Sequence, residues 1–220
     1  MKLVLASGSQ RRRELLTMCG YDYEIIVSNA DETIDENDPE SFVRALSFRK
    51  AKEVFDRLFA AGRRDFAVIG SDTVVAFQKE GGTKPVIIGK PKDAEDAVRI
   101  LSMLSGKTHR VFTGVSVIAD IPDENAAAQC SIREKAEIQT ECSITEVTFE
   151  TLSPDEIMDY VNSGDPLDKA GSYGIQGPFG MFVREIRGNY FTVIGMPIPV
   201  LYKMLKKIGI LPHGFYERIE

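Results

Sequence analysis

The sequence predicts an α/β fold with a mixed central sheet flanked by helices, and three observations lead there. Short apolar runs alternate with helix-period segments through the first hundred residues. A pair of long strand-like runs, 109–119 and 136–149, then forms an antiparallel hairpin. Helix start and stop residues stand where the periodic segments begin and end. With 220 residues, 43% of them hydrophobic, the chain can bury a substantial core, either as one undivided domain over 1–220 or as two lobes around a cleft.

In chain order, Leu3-Val4-Leu5-Ala6 reads as a buried strand. Ser9 is placed to N-cap a helix from about Gln10, with Leu15, Leu16 and Met18 on its apolar side and Gly20 as its stop. Residues 23–27 read as a second strand, followed by an acidic loop over 29–38. Asp38-Pro39 opens a long helix with Phe42, Leu46, Val54 and Leu58 inward, ending at Gly62. Residues 66–70 read as a central strand. Ser71-Asp72-Thr73 stands at its end, before a second apolar run, 74–77.

Residues 78–84 read as a polar hairpin turn into a strand at 85–88, closed by Gly89-Lys90-Pro91. Asp93 N-caps a third helix with Ala97, Ile100, Leu101 and Leu104 inward and Gly106 beyond it. Between the two long strands, 120–128 reads as an exposed loop tip. Ser153-Pro154-Asp155-Glu156 fits a capping box, and its helix ends near Gly164. The glycine-rich run 164–178 implies backbone held close to something. A last strand, 181–186, a turn at Gly188-Asn189 and a helix from about Pro197, with Leu201, Met204 and Leu205 inward, complete the chain.

The net charge of −6 and pI near 5.2 argue against broad binding to nucleic acid or to an anionic membrane. A small phosphorylated ligand needs only a local basic cluster. Cys19, Cys130 and Cys142 are an odd count without a CxxC spacing, so neither a disulfide framework nor a zinc site is expected. The opening apolar run is too short for a signal segment, and no run is long enough to span a bilayer. These readings predict a soluble, cytoplasmic protein with reduced thiols.

Chemistry concentrates first in Ser7-Gly8-Ser9-Gln10-Arg11-Arg12-Arg13. Arginines in a helix's first turn oppose the helix dipole, at about 0.3–1 kcal/mol each, and a bound anion removes the conflict. The hydroxyls of Ser7 and Ser9, backbone N–H groups and guanidinium forks together suit a phosphate chain. The turn matches neither GxxxxGK[ST] nor GxGxxG. Asp72, a carboxylate between two apolar runs, must pair, cap or bind metal, because burial of an unpaired charge is costly. Phosphoryl chemistry needs this mixture, with cations such as Lys50 and Lys90 against phosphate and carboxylates to hold a divalent ion and orient water. His109 and His213 read as structural.

In that order, the motifs Leu5-Ala6-Ser7-Gly8-Ser9-Gln10-Arg11-Arg12, Asp31-Glu32, Lys50-Ala51, Gly70-Ser71-Asp72-Thr73-Val74-Val75, Gly89-Lys90-Pro91, the run Ser105 to Val111 with Thr113-Gly114-Val115, and the run Asp168 to Gly177 resemble the Maf-like nucleoside triphosphate pyrophosphatases over nearly the whole chain. The resemblance implies an α/β fold with a cleft between two lobes, related to the inosine triphosphate pyrophosphatases. It implies hydrolysis between the α and β phosphates of a nucleoside triphosphate, with Mg²⁺ or Mn²⁺, by a cytoplasmic homodimer. By position, Asp72 looks like the acceptor that activates water, and Glu32, with Asp72, like a metal ligand. Ser7, Arg12, Lys50 and Lys90 would bind or neutralise phosphates, with Ser9 beside them, and Asp168 and Lys169 lie in the cleft motif.

Arg11, Thr73 and Gln176 match the base-selectivity positions and resemble the subgroup acting on dTTP, UTP and modified pyrimidine nucleotides, for nucleotide-pool cleaning. The alternatives are a preference for 7-methyl-GTP and a nucleotide-sensing regulator without turnover. Gln10 and Ser47 stand where the family commonly has proline and alanine, and the segments 78–84 and 120–135 are longer than in compact members.

Overall fold

The computed structural model describes residues 1–78, 81–82, 84–121 and 136–214. Most of the 78–84 turn lies within them; nearly all of the 120–128 loop tip, and Cys130, lie outside. Seven strands form one sheet: β1 (Lys2–Leu5), β2 (Glu24–Ile25), β3 (Phe66–Phe77), β4 (Val86–Ile88), β5 (Thr108–Asp120), β6 (Ala136–Phe149) and β7 (Val183–Arg187). The helices are α1 (Gln10–Met18), α2 (Pro39–Ala60), α3 (Ala94–Leu104), α4 (Pro154–Asn162), α5 (Tyr190–Ile194) and α6 (Ile198–Lys207). Strand order is β2-β1-β3-β5-β6-β7, with β1 parallel to both neighbours, β5, β6 and β7 antiparallel, and β4 antiparallel to β3. The expected mixed α/β architecture is therefore present.

The register on β3 positions everything that follows. Its partner β1 ends with Leu5 opposite Ile69, and antiparallel β4 takes up the same edge with its last residue, Ile88, opposite Val75. From Gly70 to Val74 the only strand beside β3 among the described residues is β5, where Asp72 faces Gly114 and Thr73 faces Thr113. The expectation of a strand end at Asp72 is corrected: the strand is continuous, and its flanking neighbours change there instead. Polar Ser71-Asp72-Thr73 interrupts hydrophobicity without interrupting the β5 ladder.

Side-chain alternation assigns the two sheet faces. Even positions of β3, such as Phe66 and Val68, pack with Ala51, Val54 and Phe55 of α2. Odd positions face two separate cores. Ala67 and Ile69 join Leu15, Leu16, Leu201 and Leu205 of α1 and α6, whereas Val75 and Phe77 join Ile100, Leu101, Ile157 and Tyr160 of α3 and α4. These two cores are the lobes.

The α2 backbone rests directly on glycine. A Cβ on Gly70 would lie 2.2 Å from the Ser47 carbonyl oxygen, and one on Gly114 would lie 2.1 Å from that of Val43. Ser47, fully buried, bonds to Ser116 at 2.9 Å. Only this close approach brings a lysine one turn along α2 to Asp72.

Capping follows the sequence for α2, α3 and α4, including the reciprocal Ser153–Glu156 box. Four expectations need correction. Ser9 holds the N-cap position of α1 without a side-chain capping bond. Met18 is 63% exposed, because α1 turns its last residue away from the core. Strand β2 shrinks to two residues, since only β1 supports it, and β7 starts at Val183, after a 3₁₀ turn over Pro178–Phe182.

His109 is structural, as expected. It packs edge-on against Phe149 and Tyr173, with Nε2 2.9 Å from the Tyr173 hydroxyl, and burial pushes its pKa down to about 3. The unfolded chain thus binds a proton that the folded chain refuses between about pH 6.5 and pH 3, so stability falls as pH falls through that window. We expect chemical denaturation to show wild type losing stability about 1 kcal/mol per pH unit more steeply than His109→Phe between pH 6 and 4. Equal slopes would remove His109 from the acid response.

Candidate active site

The gap on the β3 edge opens into a cleft of about 1150 Å³ between the two lobes. That volume exceeds the range of roughly 300–1000 Å³ usual for drug-sized ligands and suits a larger, elongated one. All twelve residues singled out from the sequence line it: Ser7, Ser9, Arg11, Arg12, Glu32, Lys50, Asp72, Thr73, Lys90, Asp168, Lys169 and Gln176.

One wall holds an ion triad. Asp72, 8% exposed, projects toward α2 because its position on β3 is even, and Lys50 Nζ lies 2.8 Å from its Oδ1. The same ammonium is 3.0 Å from Glu32 Oε1. The acidic loop is pinned there by Arg49, whose Nη1 donates to the carbonyls of Asp31 and Thr33, both at 2.8 Å. One α2 turn thus supplies both the cation between the carboxylates and the tether that brings Glu32 to it. The sequence showed Arg49 only as one more basic residue on a long helix.

On the opposite wall the three arginines separate. Arg13 Nη2 donates to the Gly8 carbonyl at 2.8 Å, and Arg11 Nη1 reaches Asp168 Oδ2 across the cleft at 3.4 Å. Arg12 turns inward. Its Nε donates to the Gly195 carbonyl at 2.8 Å, Nη1 to Ser7 Oγ at 3.1 Å and Nη2 to Thr73 Oγ1 at 3.3 Å. A guanidinium has five N–H groups, so two remain, one on each terminal nitrogen, for a ligand. Burial lowers the Arg12 pKa, and the charge of Asp72 works against that shift.

Ser7 is similarly constrained. Its Oγ accepts from Arg12 and also from the Ser9 backbone N–H at 3.2 Å, so its one proton is left to donate. No acidic residue occupies the first turn of α1. This corner therefore presents unspent donors and positive charge, as an anion requires.

The glycine-rich run closes the far side. Lys169 Nζ is held by Asp165 Oδ1 at 3.0 Å and Asp168 Oδ1 at 2.7 Å, while the Tyr160 hydroxyl donates to Asp165 at 2.5 Å and accepts from the Gly174 N–H at 3.1 Å. Burial would raise the Asp168 carboxyl, but Lys169 and Arg11 hold it below its usual value. The run docks through the Gly171 N–H on the Gly89 carbonyl, 3.0 Å, beside exposed Lys90, which forms no ion pair among the described residues. Gln176 is exposed at the cleft wall.

Cys142 offers no nucleophile, since burial pushes its thiol up to about 12, and among the described residues no three His, Cys, Asp or Glu side chains gather around a metal-sized point. Sequence reasoning missed Ser71, Thr113 and Gly195 behind Arg12, along with the whole of α5. The family motif contained the first two, but nothing in it distinguished them from ordinary strand residues.

A family model described as Maf-like protein matches residues 2–208. A protein of Agathobacter rectalis named dTTP/UTP pyrophosphatase is 41% identical over 217 residues, covering 95% of this chain and 98% of its own length. One of the same name from Bacillus thuringiensis subsp. konkukian is 42% identical over 210 residues, covering 95% and 96%. Among solved structures, that of the Staphylococcus aureus Ham1 protein covers 94% of this chain and 100% of its own, with a TM-score of 0.47 and 14% identity.

Proposed function

The chain belongs to the Maf-like family, and from that premise we propose that it is a nucleoside triphosphate pyrophosphatase that cleaves dTTP, UTP and modified pyrimidine nucleotides to the monophosphate and pyrophosphate. The observation that carries the reading is the pairing, across one cleft, of an anion corner with two unspent Arg12 N–H groups and a nearly buried carboxylate, Asp72. Arg12, Ser7 and Lys90 hold the polyphosphate, with Ser9 and Lys169 beside them. Asp72 accepts the proton of the attacking water. Lys50, 2.8 Å from Asp72, orients that carboxylate and offsets charge that builds on the phosphates.

Asp72 and Glu32 are the carboxylates that would hold Mg²⁺ or Mn²⁺. Two carboxylates already gathered on one ammonium, open to a cleft where phosphate oxygens complete the set, fit the sparse protein ligation typical of magnesium. When bound, the ion supplies charge neutralisation at the scissile anhydride. By the family resemblance Arg11, Thr73 and Gln176 select the base, where a glutamine amide can serve both a carbonyl and an imide N–H, and Asp168 lies in the same cleft against Arg11. No helix among the described residues is long and apolar enough to cross a membrane. The family resemblance extends the proposal to a cytoplasmic homodimer.

The deciding experiment is pyrophosphate release from dTTP, UTP, 7-methyl-GTP and ITP with Mg²⁺. We expect kcat/KM to be highest for the two pyrimidines. An optimum on 7-methyl-GTP would overturn the base assignment, and background release from all four would overturn turnover itself.

A further inference from the structure

Arg12 is held by a directed chain of hydroxyls that ends on the short helix α5. Thr113 Oγ1 lies 2.7 Å from the Thr192 carbonyl oxygen, which can only accept, so Thr113 spends its single proton there. The 3.0 Å contact between Thr73 and Thr113 must then run from Thr73 to Thr113. That leaves the Thr73 oxygen to accept from Arg12 Nη2 at 3.3 Å. Every proton in the chain Arg12 to Thr73 to Thr113 to Thr192 is thereby fixed in one direction.

A second tether reaches the same segment. The Gly195 carbonyl accepts from Arg12 Nε at 2.8 Å, and Ser71 Oγ, 2.9 Å away, shares its single proton between that carbonyl and the Gly114 carbonyl, also at 2.9 Å. Gly195 has φ +108°, and a Cβ there would lie 3.1 Å from Thr73 Oγ1. Glycine therefore suits the backbone there, and any side chain would press on the Thr73 hydroxyl. Odd positions of β3, Ser71 and Thr73, serve Arg12 from behind, while even Asp72 between them faces Lys50. Thr113 is fully buried and is not among the cleft-lining residues.

We propose that Thr113, Ser71 and Gly195 are positioning residues that clamp Arg12 to α5, so that its two remaining N–H groups meet the polyphosphate in one fixed orientation. The proposal deepens the activity assigned above and rests on the anion-binding role of Arg12. The three act through the arginine and touch no substrate.

The test is a double-mutant cycle on affinity for an α,β-methylene analogue of dTTP, measured by calorimetry, with KM and kcat for dTTP alongside. Thr113→Val, which keeps the shape and deletes the hydroxyl, is expected to weaken analogue binding and raise KM about three- to tenfold, the worth of one neutral hydrogen bond, with kcat changed less than about twofold. Thr113→Ser restores both. In an Arg12→Ala background Thr113→Val adds less than about twofold, because its effect passes through the missing guanidinium.

Equal losses from Thr113→Val with and without Arg12, or failure of folded Thr113→Ser to rescue, would overturn the clamp. Should Thr113→Val not fold, Ser71→Ala in the same two backgrounds decides by the same criteria. Absence of pyrophosphate release by the parent protein would overturn the activity while the analogue affinities still judge the clamp. Absence of analogue binding by the parent would overturn both.

Discussion

Asp72→Asn is expected to lower kcat for pyrophosphate release by about 10²–10⁴-fold, the contribution typical of a positioned proton acceptor. Asparagine keeps the size of the side chain and leaves an oxygen for Lys50, now 2.8 Å away. It removes the negative charge and the ability to take a proton. Because Arg12, Ser7 and Lys90 are unchanged, KM should move much less than kcat, the signature of a group used in the transition state. A variant that stays within tenfold of the parent, with an unchanged melting temperature, would displace Asp72 from that role.

Gly70→Ala is expected to cost about 3 kcal/mol or more of stability, with a melting temperature lower by about 6–12 °C. The added methyl would sit 2.2 Å from the Ser47 carbonyl oxygen and 2.7 Å from the Ala51 nitrogen. Both are helix backbone, so no side-chain rotation relieves the clash and α2 itself must lift. Lifting α2 withdraws Lys50 from Asp72 and loosens the Arg49 tether on the acidic loop. Activity should therefore fall even below the melting range. Thermal unfolding followed by circular dichroism, with kcat at a temperature where both proteins are folded, checks the two halves separately. A melting temperature within 2 °C of wild type would mean that the helix accommodates the methyl.

Much of this was legible in the sequence, for a physical reason: long amphipathic helices and capping boxes are local signals. The inward faces of α3 and α6 and the end of β6 at Phe149 were readable to the residue. Helix α5 was not, because Tyr190-Phe191-Thr192-Val193-Ile194 is aromatic and β-branched, the composition of a strand, and only the Asn189 cap and the packing around Thr192 and Ile194 make it helical. The site's charged residues were legible through ordered motifs, which locate side chains without giving their partners. Ser71 and Thr113 remained silent since a hydroxyl in a strand looks the same whether it faces solvent or closes a chain of donors, and Gly195 because it caps a helix the sequence did not reveal. The role of Gly70 and Gly114 appears only once the register places both beneath the same helix.

Strands β1 and β4, four and three residues long, occupy the same edge of the twelve-residue β3 without meeting. Between Ile69 and Val75 six strand steps, at about 3.3 Å each, leave a slot roughly 20 Å long. The aperture is thus measured in backbone units: extending either short strand toward the other would zip the slot shut from its end, whatever side chains were chosen. Residue count in two minor strands acts as the molecule's ruler for the length of what it can admit.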